Sequence, residues 1–384
     1  MIEAIGKGIR PLIKWAGGKY DEFEYFSPFI PANIRYYIEP FMGGGGVFFA
    51  RRPGGMCYLN DKSTDLIQFY TSLSDPEFKR QAFLYVDAWD QAGLLSAELL
   101  KFERDLFLGF MTEKLSLSEV EVRLATRLAG LDRQQFYPLF DAEFCPDPQV
   151  FQDVLIASLT DKFRRVRMIS EKNSLTFSSQ QLAVHFATGI KSGAYLYLRK
   201  LMNDDSTGRR RLPQAKRVAN WYFVREFCYA SMFRFNTKGE FNIPYGGAAY
   251  NRKKIRRKIE RLFTAEVSQL FRRSQFFNLD FEQFLNRLSL SDEDFIFLDP
   301  PYDSKFSIYD QNAFTKADQK RLARWLLGTS ARWMLIIKET PFIRSLYTAP
   351  GIVIHKFDKS YTYNVRGRNN RQVKHLAILN YGQD

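Results

Sequence analysis

The sequence predicts an α/β fold, a mostly parallel sheet in a domain split by a long helical insertion. Short apolar runs end abruptly in glycine, acid or proline, and helix-like stretches separate them. The middle of the 384-residue chain instead spaces its apolar residues by three and four. Alternating strands and helices imply parallel strands covered on both faces.

The elements follow in order. "RYYIEPF" is a short strand running into the glycine-rich "MGGGGVFF". "MCYLND" is a second strand ending at Asp61, and "STDLIQFYTSL" is a helix capped by Ser63 or Thr64. From about Asp75 to Arg225 the pattern is helical. Leu95, Leu99, Phe102, Leu106 and Phe110 form one stripe, and Phe151, Leu155, Leu159 and Phe163 another. Both read as core-packing faces. Strands return at "SQFFNLDF", "DFIFLDPPY", "RWMLIIKET" and "KHLAILNY", with helical "KADQKRLARWLL" among them. The expected division is one discontinuous domain from residues 1–74 and 270–384, and an insertion from 75–269.

Bulk properties narrow the function. Hydrophobic residues make up 45% and aromatics 16%, so the chain is globular rather than disordered. A formal net charge of +14 favours a polyanionic partner, nucleic acid before an anionic membrane surface. Cys57, Cys145 and Cys228 are scattered, as are His185, His355 and His375; neither set has metal-ligand spacing. A cytoplasmic, metal-independent protein is the expectation. The N-terminus lacks a signal-peptide core, and no apolar run is long enough to cross a bilayer.

The glycine loop points to a nucleoside. Glycines after the first strand let a ligand approach the backbone closely, though they equally suit a tight turn. Asp61, ending the next strand, is placed for ribose hydroxyls. A dinucleotide fingerprint would need Gly at 48, where the chain has Phe, and no Gly-Lys-Ser/Thr follows for a triphosphate. A nucleoside without phosphates fits better, and S-adenosyl-L-methionine is the common one. Asp280 and Phe281 end another strand; Asp280 reads either as an acceptor for an adenine amine or as a helix cap. In "FIFLDPPYDSKF" the prolines stop a buried strand, leaving Asp299, Pro300 and Tyr302 at its tip as a turn or as a rigid holder.

"YNRKKIRRKIERLF" carries Arg252, Lys253, Arg256 and Arg257 around an apolar stripe, with Glu260 its one acid. A solvated helix normally mixes signs, so this run is expected to contact phosphates. The cluster Arg209–Arg211 allows the same reading.

"PLIKWAGGKY", "IEPFMGGGGVFF", "RFNTKGEFNIPYGG" and "FLDPPY", in this order, resemble the DNA adenine methyltransferase (Dam-type) family. The likeness covers about half the chain and is silent on most of the insertion. It implies a Rossmann-like methyltransferase fold whose discontinuous domain is catalytic and whose insertion recognises the DNA target. It also implies transfer of a methyl group from S-adenosyl-L-methionine to adenine N6 of a base flipped out of double-stranded DNA, by an orphan enzyme or within restriction–modification.

Carried over by residue, Trp15, Lys19, Phe41, Gly43, Gly45, Asp61, Asp280, Phe281 and Asp299 hold the cofactor. Asp299, Pro300 and Tyr302 are catalytic. Tyr229 fills the gap left by the flipped base, or else is a core tyrosine. Lys14, Met232, Arg234 and Pro244 face the bases, a set chemically suited to 5′-GATC-3′; Ala230 departs from the bacterial pattern, which has Asn there. The competing reading is a DNA-binding or scaffold subunit with little turnover of its own. A further one changes the acceptor to cytosine N4, RNA or a protein amide.

Overall fold

The structure, a computed structural model, describes residues 9–15, 17–301, 314–360 and 372–382. The chain forms two compact units, one from Met1–Thr71 with Phe263–Asp384, the other from Ser72–Leu262. In chain order come α1 (Phe23–Phe26), β1 (Tyr36–Glu39), α2 (Gly46–Arg51), β2 (Met56–Asn60) and α3 (Thr64–Ser72). Next are α4 (Pro76–Met111), α5 (Leu117–Ala129), α6 (Pro148–Asn173), α7 (Ser179–Ser206), α8 (Gln214–Phe227) and α9 (Ile255–Leu262). Then follow α10 (Ala265–Arg272), β3 (Ser274–Phe277), α11 (Phe281–Leu285), β4 (Phe295–Leu298) and α12 (Lys316–Gly328). Last are β5 (Arg332–Lys338), α13 (Pro341–Leu346), β6 (Val353–Ser360) and β7 (Gln372–Leu379).

The first unit is built on one sheet of order β3-β2-β1-β4-β5-β7-β6. The pairs from β3 to β5 are parallel, and β7 is antiparallel to both β5 and β6. All four residues of β4 and the middle five of β5 are buried, as expected for strands covered on both faces. Ile38, Ile296, Leu298, Trp333, Leu335 and Ile378 form part of the packed centre. The edge strand β6 was not expected from the sequence. Its Lys356 and Asp358 interrupt the apolar pattern, as edge strands tolerate.

One buried acid ties three strands at their amino ends. Asp294 accepts from Arg35 Nε at 2.9 Å and Nη2 at 2.6 Å, and from the Tyr36 and Ser291 backbone N–H groups at 3.2 and 2.8 Å. Its carbonyl accepts from Arg332 N at 3.1 Å, the first residue of β5.

The second unit is helical, and its expected stripes mostly form core. Phe151, Leu155, Leu159 and Phe163 are all buried in α6. In α4, Leu95, Leu99, Leu106 and Phe110 are buried, but Phe102 is 56% exposed. Glu103 breaks the helical dihedrals there (φ −111°, ψ 16°), which shifts the phase of the stripe. Phe102 instead lies under the Arg127 guanidinium, 3.9 Å from its ring centre. Helix α7 extends through Ser206, and Arg209–Arg211 lie between it and α8.

Asp294→Ala removes an acceptor shared by Arg35, the Tyr36 N–H and Ser291, and is expected to cost about 1–3 kcal/mol in denaturant unfolding. Burial pushes this carboxyl up, but Arg35 and the N–H groups outweigh it and hold it below the usual range. Its stabilisation is therefore complete above about pH 4 and is lost as acid protonates it, a pH dependence that the Ala variant should lack.

Candidate functional site

In the first unit a cavity opens at the carboxyl ends of β1–β4, where open α/β sheets bind ligands. It gathers segments far apart in sequence. Trp15, Lys19, Phe41, Gly43, Asp61, Asp280, Phe281, Asp299 and Pro300 all line it. Gly45 does not. It caps α2 at φ +66°, and a Cβ there would sit 2.8 Å from the Phe49 ring, so this glycine serves the turn itself. Tyr302 lies outside the described residues.

The glycine loop is shaped by what touches it. Gly43 has φ +49°, and a Cβ on it would come 2.9 Å from the Trp15 indole; on Gly44 the clash would be with Trp15 Cβ, also at 2.9 Å. Asp61 clamps the loop, accepting from Gly43 N at 2.8 Å and from Ser63 N at 2.9 Å. Asn60, which the sequence did not single out, is buried and splices three strand ends. Its amide donates to Pro40 O at 3.0 Å and Leu279 O at 3.1 Å and accepts from Leu279 N at 3.0 Å.

Asp299 meets Lys19 across 280 residues of sequence. Lys19 Nζ lies 2.7 and 2.9 Å from the two carboxylate oxygens and donates to Gly17 O at 2.8 Å. The lysine side chain is 2% exposed and the aspartate 19%. Burial raises the Asp299 carboxyl above its ordinary range even with Lys19 pulling it down. Gln319 Nε2 holds the Pro301 carbonyl at 3.1 Å, fixing the turn after Pro300. Beside them Glu39 accepts from the Tyr37 hydroxyl, and burial pushes its carboxyl up to about 8.

Asp280 is a helix cap: its Oδ1 accepts from Glu282 N at 3.0 Å. It is also gripped by Arg321, Nη1 to Oδ1 at 3.0 Å and Nη2 to Oδ2 at 2.8 Å. The sequence expectation of an open acceptor missed this partner, which lies 41 residues away on α12 with nothing local to announce it. The same guanidinium lies 4.5 Å over the Phe281 ring, and Phe281 packs against Phe41 and Phe314. Phe281 is 4% exposed, so it reaches the cavity as part of this aromatic wall.

In the second unit, a hairpin-like segment after α8 carries the expected base-facing residues. Tyr229 N donates to Pro244 O at 2.8 Å, with flanking bridges Cys228–Tyr245 and Phe235–Phe241. Tyr229, Met232, Arg234 and Pro244 are all exposed, so Tyr229 is no core residue. Ala230 and Ser231 both take positive φ, 52° and 53°, which costs non-glycine residues energy and turns the chain sharply beside Tyr229. Helix α7 anchors the segment: Asn203 exchanges bonds of 2.9 and 3.0 Å with the Phe241 backbone, and Tyr195 donates to Ile243 O at 2.7 Å. Lys14 is exposed in the first unit.

The basic run differs from expectation. It is not one helix but a 3₁₀ turn, Ala248–Arg252, followed by α9. Lys253 and Lys258 pair with Glu226, itself 1% exposed, and Arg256 pairs with Asp87 at 2.7 Å and Asp90 at 2.9 Å. The run lacks acids locally because α4 and α8 supply them. Arg252 and Arg257 remain exposed. Of the Arg209–Arg211 cluster, Arg209 pairs with Asp204 and Glu240, and Arg210 with Asp147.

Residues 15–96 and 170–363 match the family described as D12 class N6 adenine-specific DNA methyltransferase. The chain belongs to that family. Its sheet is accordingly that of a methyltransferase fold, and adenine methylation of DNA is the family's activity. Among similar proteins, the type II methyltransferase M.CviBI of Paramecium bursaria Chlorella virus NC1A is 22% identical over 97% of this chain and 100% of its own. M.MjaIII of Methanocaldococcus jannaschii is 25% identical over 97% of this chain and 99% of its own. The retron Ec67 DNA adenine methylase of Escherichia coli is 36% identical, over 33% of this chain and 42% of its own. Among the described residues no helix is long and apolar enough to cross a membrane.

The ion pairs sort the cations of this methyltransferase. Arg252→Ala and Arg257→Ala should each reduce the slope of log K for DNA against log salt by about 1. Lys253→Ala should leave that slope unchanged and lower the melting temperature, because it strips a partner from buried Glu226.

Proposed function

We propose that the protein methylates adenine N6 in double-stranded DNA with S-adenosyl-L-methionine as donor, on a base turned out of the helix. The observation that carries this reading is the buried Lys19–Asp299 pair at a strand tip in the same cavity as the glycine loop.

The cavity suits that donor. Gly43 and Gly44 let Trp15 lie directly on their backbone, and all three line the cavity, so a side chain at either glycine would displace the Trp15 wall. The aspartates of the lining, Asp61, Asp280, Asp299 and Asp318, outnumber its cations, Lys19, Lys62 and Arg321, and Lys19 and Arg321 are paired with Asp299 and with Asp280 and Asp318. A cationic nucleoside without phosphates matches this better than a nucleotide. Trp15, Phe41, Gly43, Asp61 and Phe281 would hold it, and Asp280 takes part through its Arg321 clamp. When bound, it supplies an electrophilic methyl on a sulfonium.

The protein's own groups then act on the acceptor. An exocyclic adenine amine is a weak nucleophile because its lone pair is delocalised into the ring. Asp299 and the Pro300 carbonyl each accept a hydrogen bond from one N6–H, drawing the nitrogen towards tetrahedral geometry and stabilising the charge that grows there. Lys19 keeps the carboxylate from swinging, so positioning supplies most of the rate. Tyr302 would stack on the extruded base, worth about 1–3 kcal/mol. Tyr229 would occupy the vacated place in the duplex, easing an extrusion cost of a few kcal/mol. Met232, Arg234, Pro244 and Lys14 would read base edges, with Arg252 and Arg257 on phosphates.

Incubation with labelled donor should place label on adenine N6 of duplex DNA, with cytosine and RNA unlabelled. Sequencing the methylated bases then reports the recognition site, 5′-GATC-3′ being the expected core. Asp299→Asn should slow transfer at least about 100-fold while donor binding persists. Gly43→Ala should do the reverse, weakening donor binding about tenfold or more by calorimetry. Because burial raises the Asp299 carboxyl, the single-turnover rate should fall with acid at a pH above the ordinary aspartate value of about 3.9.

A further inference from the structure

Behind the Lys19–Asp299 pair lies a second buried pair that the chemistry above does not use. His375 Nδ1, on β7, is 2.9 Å from Glu22 Oε2, and the two side chains are 1% and 4% exposed. Glu22 belongs to the 3₁₀ turn Tyr20–Glu22 that Lys19 precedes, and Glu22 N donates to Lys19 O at 3.2 Å. In a 3₁₀ turn, side chains three apart lie over one another. Glu22 is therefore fixed relative to Lys19 by the backbone, and Lys19 is fixed to Asp299 by its ammonium. The four groups form a chain from the sheet interior to the tip of β4.

Burial of four ionisable groups is costly, and their mutual field is strong where water is scarce. Other groups among the described residues face them. The Phe357 ring on β6 lies edge-on to the imidazole at 5.7 Å, and Lys338 on β5 is the register partner of His375. Glu39 carries the remaining nearby carboxyl on the cavity side. Glu22 pushes the Asp299 carboxyl up and His375, when protonated, pulls it down, so the pair acts on that carboxyl through the low-dielectric interior.

We propose that Glu22 and His375 are positioning residues for methyl transfer: the pair sets the turn that aims Lys19 at Asp299 and balances the charge around that carboxylate. This inference rests on Asp299 being the group that receives the adenine amine. It differs from a structural clip for the N-terminal segment, because a clip can be replaced by any neutral hydrogen-bonding pair without changing how the rate depends on pH.

The test is single-turnover transfer to an adenine-containing duplex, measured against pH for the full chain with saturating donor. Glu22→Gln removes the negative charge and should move the acid limb of the rate to lower pH. His375→Gln removes the imidazole and should move it to higher pH. The shift is roughly half a pH unit in each case. The double variant should return the limb to its original place, although its transfer rate stays below that of the parent because the Lys19 turn is less well held. Melting curves and donor calorimetry accompany each variant, and the donor affinity should change less than twofold. If His375→Gln does not fold, the downward shift in Glu22→Gln alone decides. Limbs that stay put, or that move the same way in both single variants, overturn the inference while leaving Asp299 in its role. Full transfer by Asp299→Asn overturns that role and the inference with it.

Discussion

The ion pair between Lys19 and Asp299 is the constraint on which the rest of the first unit depends. A lysine 2% exposed and a mostly buried aspartate are each expensive alone. They are tolerable together only if the chain before β1 and the tip of β4 arrive at one point. That requirement explains several features at once. The glycines of the loop let Trp15, and with it the segment carrying Lys19, lie directly on the backbone after β1. Asn60 splices the ends of β1 and β2 to the chain after β3, and Gln319 fixes the proline turn. Asp294 does the equivalent work at the opposite strand ends. The sheet is thus pinned at both ends, and the cavity is what the pinned carboxyl ends leave open.

Much of this was legible in the sequence because it is local. Six of the seven strands announce themselves as apolar runs, and the glycine loop, Asp61, and the Asp-Pro-Pro tip each follow their strand within a few residues. What was not legible is pairing across distance. Arg321 turns Asp280 from an open acceptor into a clamped one, and nothing within 41 residues signals it. Glu226, Asp87 and Asp90 quench three cations of a run that looks unopposed when read alone. The β6 edge was missed because an edge strand may carry charge, which erases the pattern used to find it. Phe102 was misassigned because a stripe extrapolates a straight helix, and Glu103 bends this one.

These pairings change what charge says about function. A net charge of +14 suggests a broad basic surface. The ion pairs commit Lys253, Lys258, Arg256, Arg209 and Arg210 to acids of their own unit. In the proposed function, phosphate contact falls to fewer, exposed side chains such as Arg252 and Arg257, and base contact to the exposed hairpin residues. On that proposal affinity and selectivity rest on separate groups, so each is open to change without the other.

The family match omits residues 97–169, which are the end of α4, all of α5 and most of α6. They pack on the matched part of their own unit. Helix α6 lies so close to α7 that a Cβ on Gly189 would meet Leu159 at 2.6 Å and one on Gly193 would meet Leu155 at 2.9 Å. Ser158 Oγ donates to Gly189 O at 2.9 Å across that contact. Helix α7 in turn holds the hairpin through Asn203 and Tyr195. A close-packed interior transmits displacement rather than absorbing it. The unmatched segment therefore packs on the same helix that holds the segment carrying Tyr229, Met232 and Arg234, and a displacement of α6 would reach that segment through α7.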